Sequence, residues 1–219
     1  MSNARNLARL IVDSGGDVDV SSLGNVPPSN DASALTTGTL PIARIGDGAI
    51  TRVKMGFAGA VLQVVTATKT NAQLCSATAN TWSEPDTNFR VSITPTSASS
   101  KFLLFMHISG GSLTGCPRMR FEYSTNGGSS WSICGPVGDA RNNRSQSHCS
   151  ISIHSDGNVM AGTSAEILFA PATTSSMIFR VLFGADQPNY LAWNHSRNDY
   201  DTFLGNTMVS TLRVMEIAQ

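Results

Sequence analysis

The stretch RMRFEYSTNGGSSWSICG, Arg118 to Gly135, decides the fold. Met119, Phe121 and Tyr123 alternate with Arg118, Arg120 and Glu122, the period-two pattern of a strand that buries one face. Asn126, Gly127 and Gly128 follow, and these residue types accept the positive φ angles that a tight hairpin turn imposes. SSWSICG (129–135) then reads as the returning strand. The same texture recurs on both sides of this hairpin: short apolar runs separated by polar turns. AVLQVVTATK (60–69), NFRVSITP (88–95) and KFLLFMHIS (101–109) precede it. HCSISIHS (148–155), AEILFAP (165–171), MIFRVLFG (177–184), NYLAWNH (189–195) and MVSTLRVMEIA (208–218) follow. KFLLFMHIS is apolar on both faces and is expected at the centre of a sheet. No helix is expected after Val61. The expected fold class is all-β, an antiparallel two-sheet β-sandwich of jelly-roll type.

Composition narrows the function classes. Charged residues make up 14% of the 219, against about 25% in an average soluble protein. Fifteen basic and fifteen acidic side chains give a formal charge of zero, so a nucleic-acid partner bound through phosphate neutralisation is not expected. No apolar run approaches the roughly 20 residues of a membrane span. The start, MSNARNLARLIVDSGG, lacks a long apolar core followed by a cleavage site, and the chain reads as soluble and made in the cytoplasm. Cys75, Cys116, Cys134 and Cys149 contain no C-x-x-C pair, and buried free thiols are expected rather than a zinc site.

Residues 1–58 have a different character from residues 59–219. Ser2 is a candidate cap for a short helix with Ala4, Leu7, Leu10 and Ile11 on one face. Gly15-Gly16 and Pro27-Pro28 then interrupt any regular structure. Asp13, Asp17 and Asp19 resemble the opening of a calcium loop, but the required glycine and closing glutamate are missing at their positions. ASALTTGTLPIARIGDGAITRVKMG (32–56) carries Leu35, Leu40, Ile42, Ile45, Ile50 and Val53 among Thr and Gly. That segment cannot bury its own aliphatics, so it gains too little to offset about 1–2 kcal/mol of backbone entropy per residue. Packing against copies of itself returns roughly 1.5–3 kcal/mol per buried aliphatic. A homotrimer with an intertwined stalk is the simplest expectation, with Leu7, Leu10 and Ile11 as the docking face of an attachment arm.

Several phrases then occur in one order: SLGNV, ASALTTGTLPIARIGDGAI, GAVLQVVTATKT, VSITPTSASSKFLLFMHISGG and STLRVMEIAQ. Together, over roughly Ser22 to Gln219, they resemble fibre and appendage structural proteins of tailed bacteriophages, of the marine or cyanobacterial type. The resemblance implies a virion component, usually trimeric, with an N-terminal attachment segment and a C-terminal β-sandwich. Other virion proteins of the tail, neck or capsid are the partners it implies, and host attachment is one role for the displayed sandwich. A capsid-decorating protein, whose arm clamps coat subunits, is the alternative reading. A carbohydrate-active enzyme is the second alternative.

The residues offer no catalytic constellation. STNGGSSW (124–131) fits the Asp-box hairpin of sugar-active β-propellers, but it occurs once and acts as a folding element. There is no nucleophile elbow, HExxH helix or phosphate loop. Glu122, Asp139, Asp186 and Asp199 would form a glycosidase pair only by tertiary accident. His107 reads as a core or interface histidine, and His148 and His154 lie too far apart to share a metal unaided. No cofactor and no metal are expected, and the chain is not expected to be an enzyme. The segment GADQPNYLAWNHSRNDYDTF (184–203) sets Tyr190, Trp193, His195 and Tyr200 among Asn and Asp, a mixture suited to stacking on sugars. These four are the candidate contacts for a host-surface glycan.

Overall fold

The computed structural model describes residues 45–46, 57–76, 78–112, 115–152, 156–188, 191–199, 201 and 206–219. The chain divides into two units, Met1–Ala49 and Ile50–Gln219. Among the described residues the strands belong to the second. The expected helix near residues 2–11 and most of the expected stalk lie outside the described residues, where only Ile45 of the stalk aliphatics is placed, half-buried.

Among the described residues the fold is all-β with no helix. The strands are β1 (Val61–Lys69), β2 (Gln73–Cys75), β3 (Trp82–Ser83), β4 (Arg90–Ile93), β5 (Lys101–Gly111) and β6 (Arg118–Ser124). They continue as β7 (Ser132–Ile133), β8 (Cys149–Ser150), β9 (Ala161–Phe169), β10 (Met177–Gly184), β11 (Leu191–Trp193) and β12 (Ser210–Ile217). All pairings are antiparallel and form two sheets. In the first, β12 lies between β1 and β5, β9 pairs the other edge of β5, and β11 joins β5 to β2. In the second, β10 pairs β3, β4 and β6, and β6 pairs β7 and β8. The expected centrality of KFLLFMHIS holds, since β5 is paired along both edges.

Period-two patterning explains which side chains each sheet buries. Phe102, Leu104, Met106 and Ile108 of β5, with Leu212 and Val214 of β12, have no exposed surface. Met119 and Phe121 of β6 and Phe179 and Phe183 of β10 are equally buried in the second sheet. Rings from the two sheets touch: Phe102 with Phe179 at 6.1 Å, Phe169 with Tyr123 at 4.7 Å, and Trp193 with Phe183 at 4.8 Å between centroids. At the far end of β5, Gly110 and Gly111 let other backbone cross close by. A Cβ on Gly110 would lie 2.5 Å from the Ala192 carbonyl oxygen, and one on Gly111 2.6 Å from the Arg197 nitrogen.

One member of a buried row is charged. Glu216 follows Leu212 and Val214 on the inward face of β12 and is fully buried. Its Oε1 accepts the Thr96 amide and hydroxyl, each at 2.7 Å. Its Oε2 accepts Gln63 Nε2 at 2.5 Å, and the same amide donates to the Thr94 carbonyl at 2.7 Å. Burial pushes this carboxyl up, but the bonds from Thr96 and Gln63 outweigh it and hold it below its ordinary value. A carboxylate with several donors is strongly favoured in its charged form. Thus the VLQVV strand, the SITPTS turn and the VMEI strand are joined at one side chain.

Candidate functional surfaces

The 184–203 segment was the expected ligand site, and its central residue is in the core. Trp193 has no exposed surface. Its ring meets Phe89 edge-on at 5.1 Å and Phe183 at 4.8 Å, with Lys69 Nζ 4.7 Å above it. The indole N–H donates to Ser210 Oγ at 2.9 Å, and the Ser210 hydroxyl donates to Asn194 Oδ1 at 2.6 Å. Asn194, also buried, donates from Nδ2 to the Lys69 carbonyl at 2.8 Å. Its φ of 63° is one that asparagine tolerates better than most residues. His195 is 7% exposed, with Nδ1 3.2 Å from Asp199 Oδ1. The assignment of Trp193 to glycan stacking is therefore corrected: a ring enclosed by Phe89, Phe183 and Lys69 presents no face to a sugar. Tyr190 and Tyr200 lie outside the described residues.

The half-exposed tryptophans are elsewhere, on the outer face of the second sheet. Trp82 and Trp131 flank a lattice of three arginines and two glutamates. Arg90 is forked onto Glu84 at 2.5 and 2.6 Å. Arg180 reaches Glu84 at 2.8 Å and Glu122 at 2.8 Å, and Arg120 reaches the other oxygen of Glu122 at 2.6 Å. The guanidinium of Arg180 sits 3.8 Å from the Trp131 centroid, and that of Arg120 sits 4.3 Å from the Trp82 centroid. The sequence reading placed Arg120 and Glu122 on this polar face but did not single out Trp82. No periodicity links Trp82 to β6, because β3 is two residues long. Chemically the lattice is self-satisfied, since each guanidinium is occupied by a carboxylate and by an indole face.

The Asp-box phrase has a local explanation. The Gly128 amide donates to Ser124 Oγ at 2.9 Å and the Ser130 amide to Asn126 Oδ1 at 3.0 Å. Gly127 and Gly128 have φ of 71° and 91°. A Cβ on Gly128 would meet the Trp131 ring at 3.3 Å. The turn thus seats Trp131 beneath Arg180.

The histidines and carboxylates singled out in the sequence are dispersed. His148 accepts the Phe121 amide at Nδ1 (3.1 Å) and lies 2.9 Å from the Cys134 carbonyl through Nε2. These partners fix the neutral tautomer with the proton on Nε2. Burial, with Arg120 nearby, lowers its pKa against the opposing effect of the Cys134 bond. His154 is outside the described residues. His107 bridges Ser164 and Ser109, each at 3.0 Å. Asp139 pairs with exposed Arg141, and Asp186 accepts the Cys116 amide. Among the described residues no three His, Cys, Asp or Glu side chains are placed to hold a metal. All four cysteines are free, but Cys116 is exposed rather than buried. Burial pushes the Cys75 thiol up to about 12 and that of Cys149 up to about 11.

His148 gives a pH prediction. Because its folded pKa is depressed, its stabilising contribution is complete above about 6.5 and is lost as pH falls from there toward the folded value. Urea midpoints are expected to be flat from pH 8 to 7 and to fall between pH 6.5 and 5. The His148→Gln variant is expected to lose that fall.

Open grooves also lie among the described residues. One, of about 480 Å³, is lined by Asn158, Val159, Met160, Asn206, Thr207 and Met208. Another, of about 170 Å³, lies around Lys69 and Asp86, which pair at 2.7 Å. Among the described residues no helix is long and apolar enough to cross a membrane. In comparisons with known proteins, the chain matches no protein-family model and no curated protein.

Proposed function

We propose that this chain is a non-enzymatic structural protein of a tailed-phage virion, a homotrimeric fibre or short appendage. Residues 1–58 anchor it and residues 59–219 form a jelly-roll β-sandwich displayed outward. The strand order supports the sandwich. Taking β1 and β2, β3 and β4, β7 and β8, and β11 and β12 as four interrupted strands leaves eight. They alternate between sheets except at the middle, where β6 and the merged β7/β8 are neighbours in the second sheet, and this gives the two four-stranded layers that a jelly roll has.

The observation that carries the functional reading is the Glu216 junction. Three phrases of the phage-appendage resemblance supply Gln63, Thr96 and Glu216, which bond to one another inside one domain. Their bonding within one domain supports reading the three phrases as parts of a single folded unit.

The attachment role of Leu7, Leu10 and Ile11 is tested on particles. Deleting residues 1–20 is expected to leave a folded trimer that no longer co-sediments with virions on a density gradient. Normal incorporation of the truncated chain would remove the anchoring role from these residues.

A further inference from the structure

The outward face of the first sheet has an apolar row, with Lys101 to one side of it and the opposite charges Arg213 and Glu166 to the other. Register places Val64, Met215, Leu103 and Leu168 side by side across β1, β12, β5 and β9. Their inward neighbours Leu104 and Val214 are buried, so this row points away from the core. Val64 and Leu168, at its two ends, are each 53% exposed. The next row is Thr66, Arg213, Phe105 and Glu166. Strands are spaced about 4.8 Å apart, so the apolar row spans roughly 14 Å and the two charged Cα positions stand about 10 Å apart. Arg213 and Glu166 are exposed and form no ion pair among the described residues. The outer face of the second sheet differs, because Arg90, Arg120, Arg180, Glu84 and Glu122 there are already mutually paired.

We propose that the β1-β12-β5-β9 face is the subunit interface of the trimer, packed head to tail around the threefold axis. The flank carrying Val64, Met215 and Arg213 meets the flank carrying Leu168, Leu103 and Glu166 of the next copy. A second copy is the fitting occupant because the face carries both halves of the match: Arg213 on one flank, Glu166 on the other, and an apolar row running beside them. A contact between different flanks is heterologous, and it closes into a ring when three copies complete the turn. His107, Thr211 and Ser164 form the adjoining polar row and fall at the rim of the contact. This inference rests on the trimeric part of the proposed function and assigns it a surface.

Sedimentation equilibrium of the full chain tests the interface. The wild type is expected to be trimeric, and Leu168→Asp is expected to weaken trimerisation about tenfold or more while leaving the circular dichroism spectrum unchanged. Arg213→Glu and Glu166→Arg are each expected to weaken it, and the double reversal is expected to restore it. Trimers whose dissociation is indifferent to all four variants would overturn this interface and leave the trimer standing. A wild-type monomer would overturn the trimer as well. Neither result bears on whether the chain is found on particles, which tests the virion reading separately.

Discussion

Trp193→Ala is expected to destabilise the domain by about 3–5 kcal/mol, the range for removing a buried aromatic. The ring is fully buried against Phe89 and Phe183. Its loss also strips Lys69 of a cation–π partner and Ser210 of its indole donor. Lys69 is itself 3% exposed, so its charge would be held in the core by Asp86 and Asn71. Urea unfolding followed by far-UV circular dichroism measures the loss, and trimer assembly is expected to fail with the fold. A Trp193→Ala protein of wild-type stability would place the ring outside the core and return it to the surface as a ligand contact.

Glu216→Ala is expected to cost about 2–4 kcal/mol. The substitution leaves the Thr96 amide, the Thr96 hydroxyl and Gln63 Nε2 without their acceptor. An unsatisfied buried donor costs roughly 1–3 kcal/mol, and some rehydration or regrouping is allowed for in the total. Glu216→Gln is expected to be milder, because its oxygen still serves Thr96. Its new amide would face the Gln63 amide, however, and flipping Gln63 would forfeit the bond to the Thr94 carbonyl. Protonation acts in the same direction. The folded pKa is held below the ordinary 4.5, so the stability that Glu216 contributes is present above that value and lost as pH falls through the folded one. A shallower fall in stability from pH 5 to 3 in Glu216→Gln than in the wild type isolates this carboxylate from Asp86, whose bond to Lys69 also lowers its pKa and which keeps its own share of the slope.

The two variants mark where the sequence was readable. RMRFEYS announced its fold through the alternation of its residue types, although its burial breaks period two at Glu122, which is buried by its pairing with Arg120 and Arg180. The expected run from 165 found β9 late: the strand begins at Ala161, where the residues AGTS carry no apolar alternation. The expected strand at 129–135 is paired only at Ser132–Ile133, because the turn that seats Trp131 occupies the rest. β2 and β3 are short pieces, fixed by their partners β11 and β10 rather than by their own pattern.

Glu216 was legible in principle, since period two sets it beside Leu212 and Val214. A glutamate in that row is an exception to burial rules, and only the tertiary approach of Thr96 and Gln63 makes it stable. Trp193 was not legible. NYLAWNH has the composition of a ligand loop, and what decides its burial is a glycine pair eighty residues away in sequence, roughly, that lets β11 cross β5 closely. The Arg–Glu–Trp lattice was half legible, for Arg120 and Glu122 lie on the polar face of a recognisable strand while Glu84 and Trp82 come from segments without periodicity.

The central claim, that this chain is a trimeric part of a phage particle, is tested most directly by an electron cryo-microscopy map of the intact virion. The account predicts threefold-symmetric projections built of two-sheet domains. In each, the Val64 to Leu168 face of one subunit would lie toward the axis, and residues 1–58 would lead into the tail, neck or capsid. Absence of the chain from purified particles, or its presence there as isolated monomers, would contradict it.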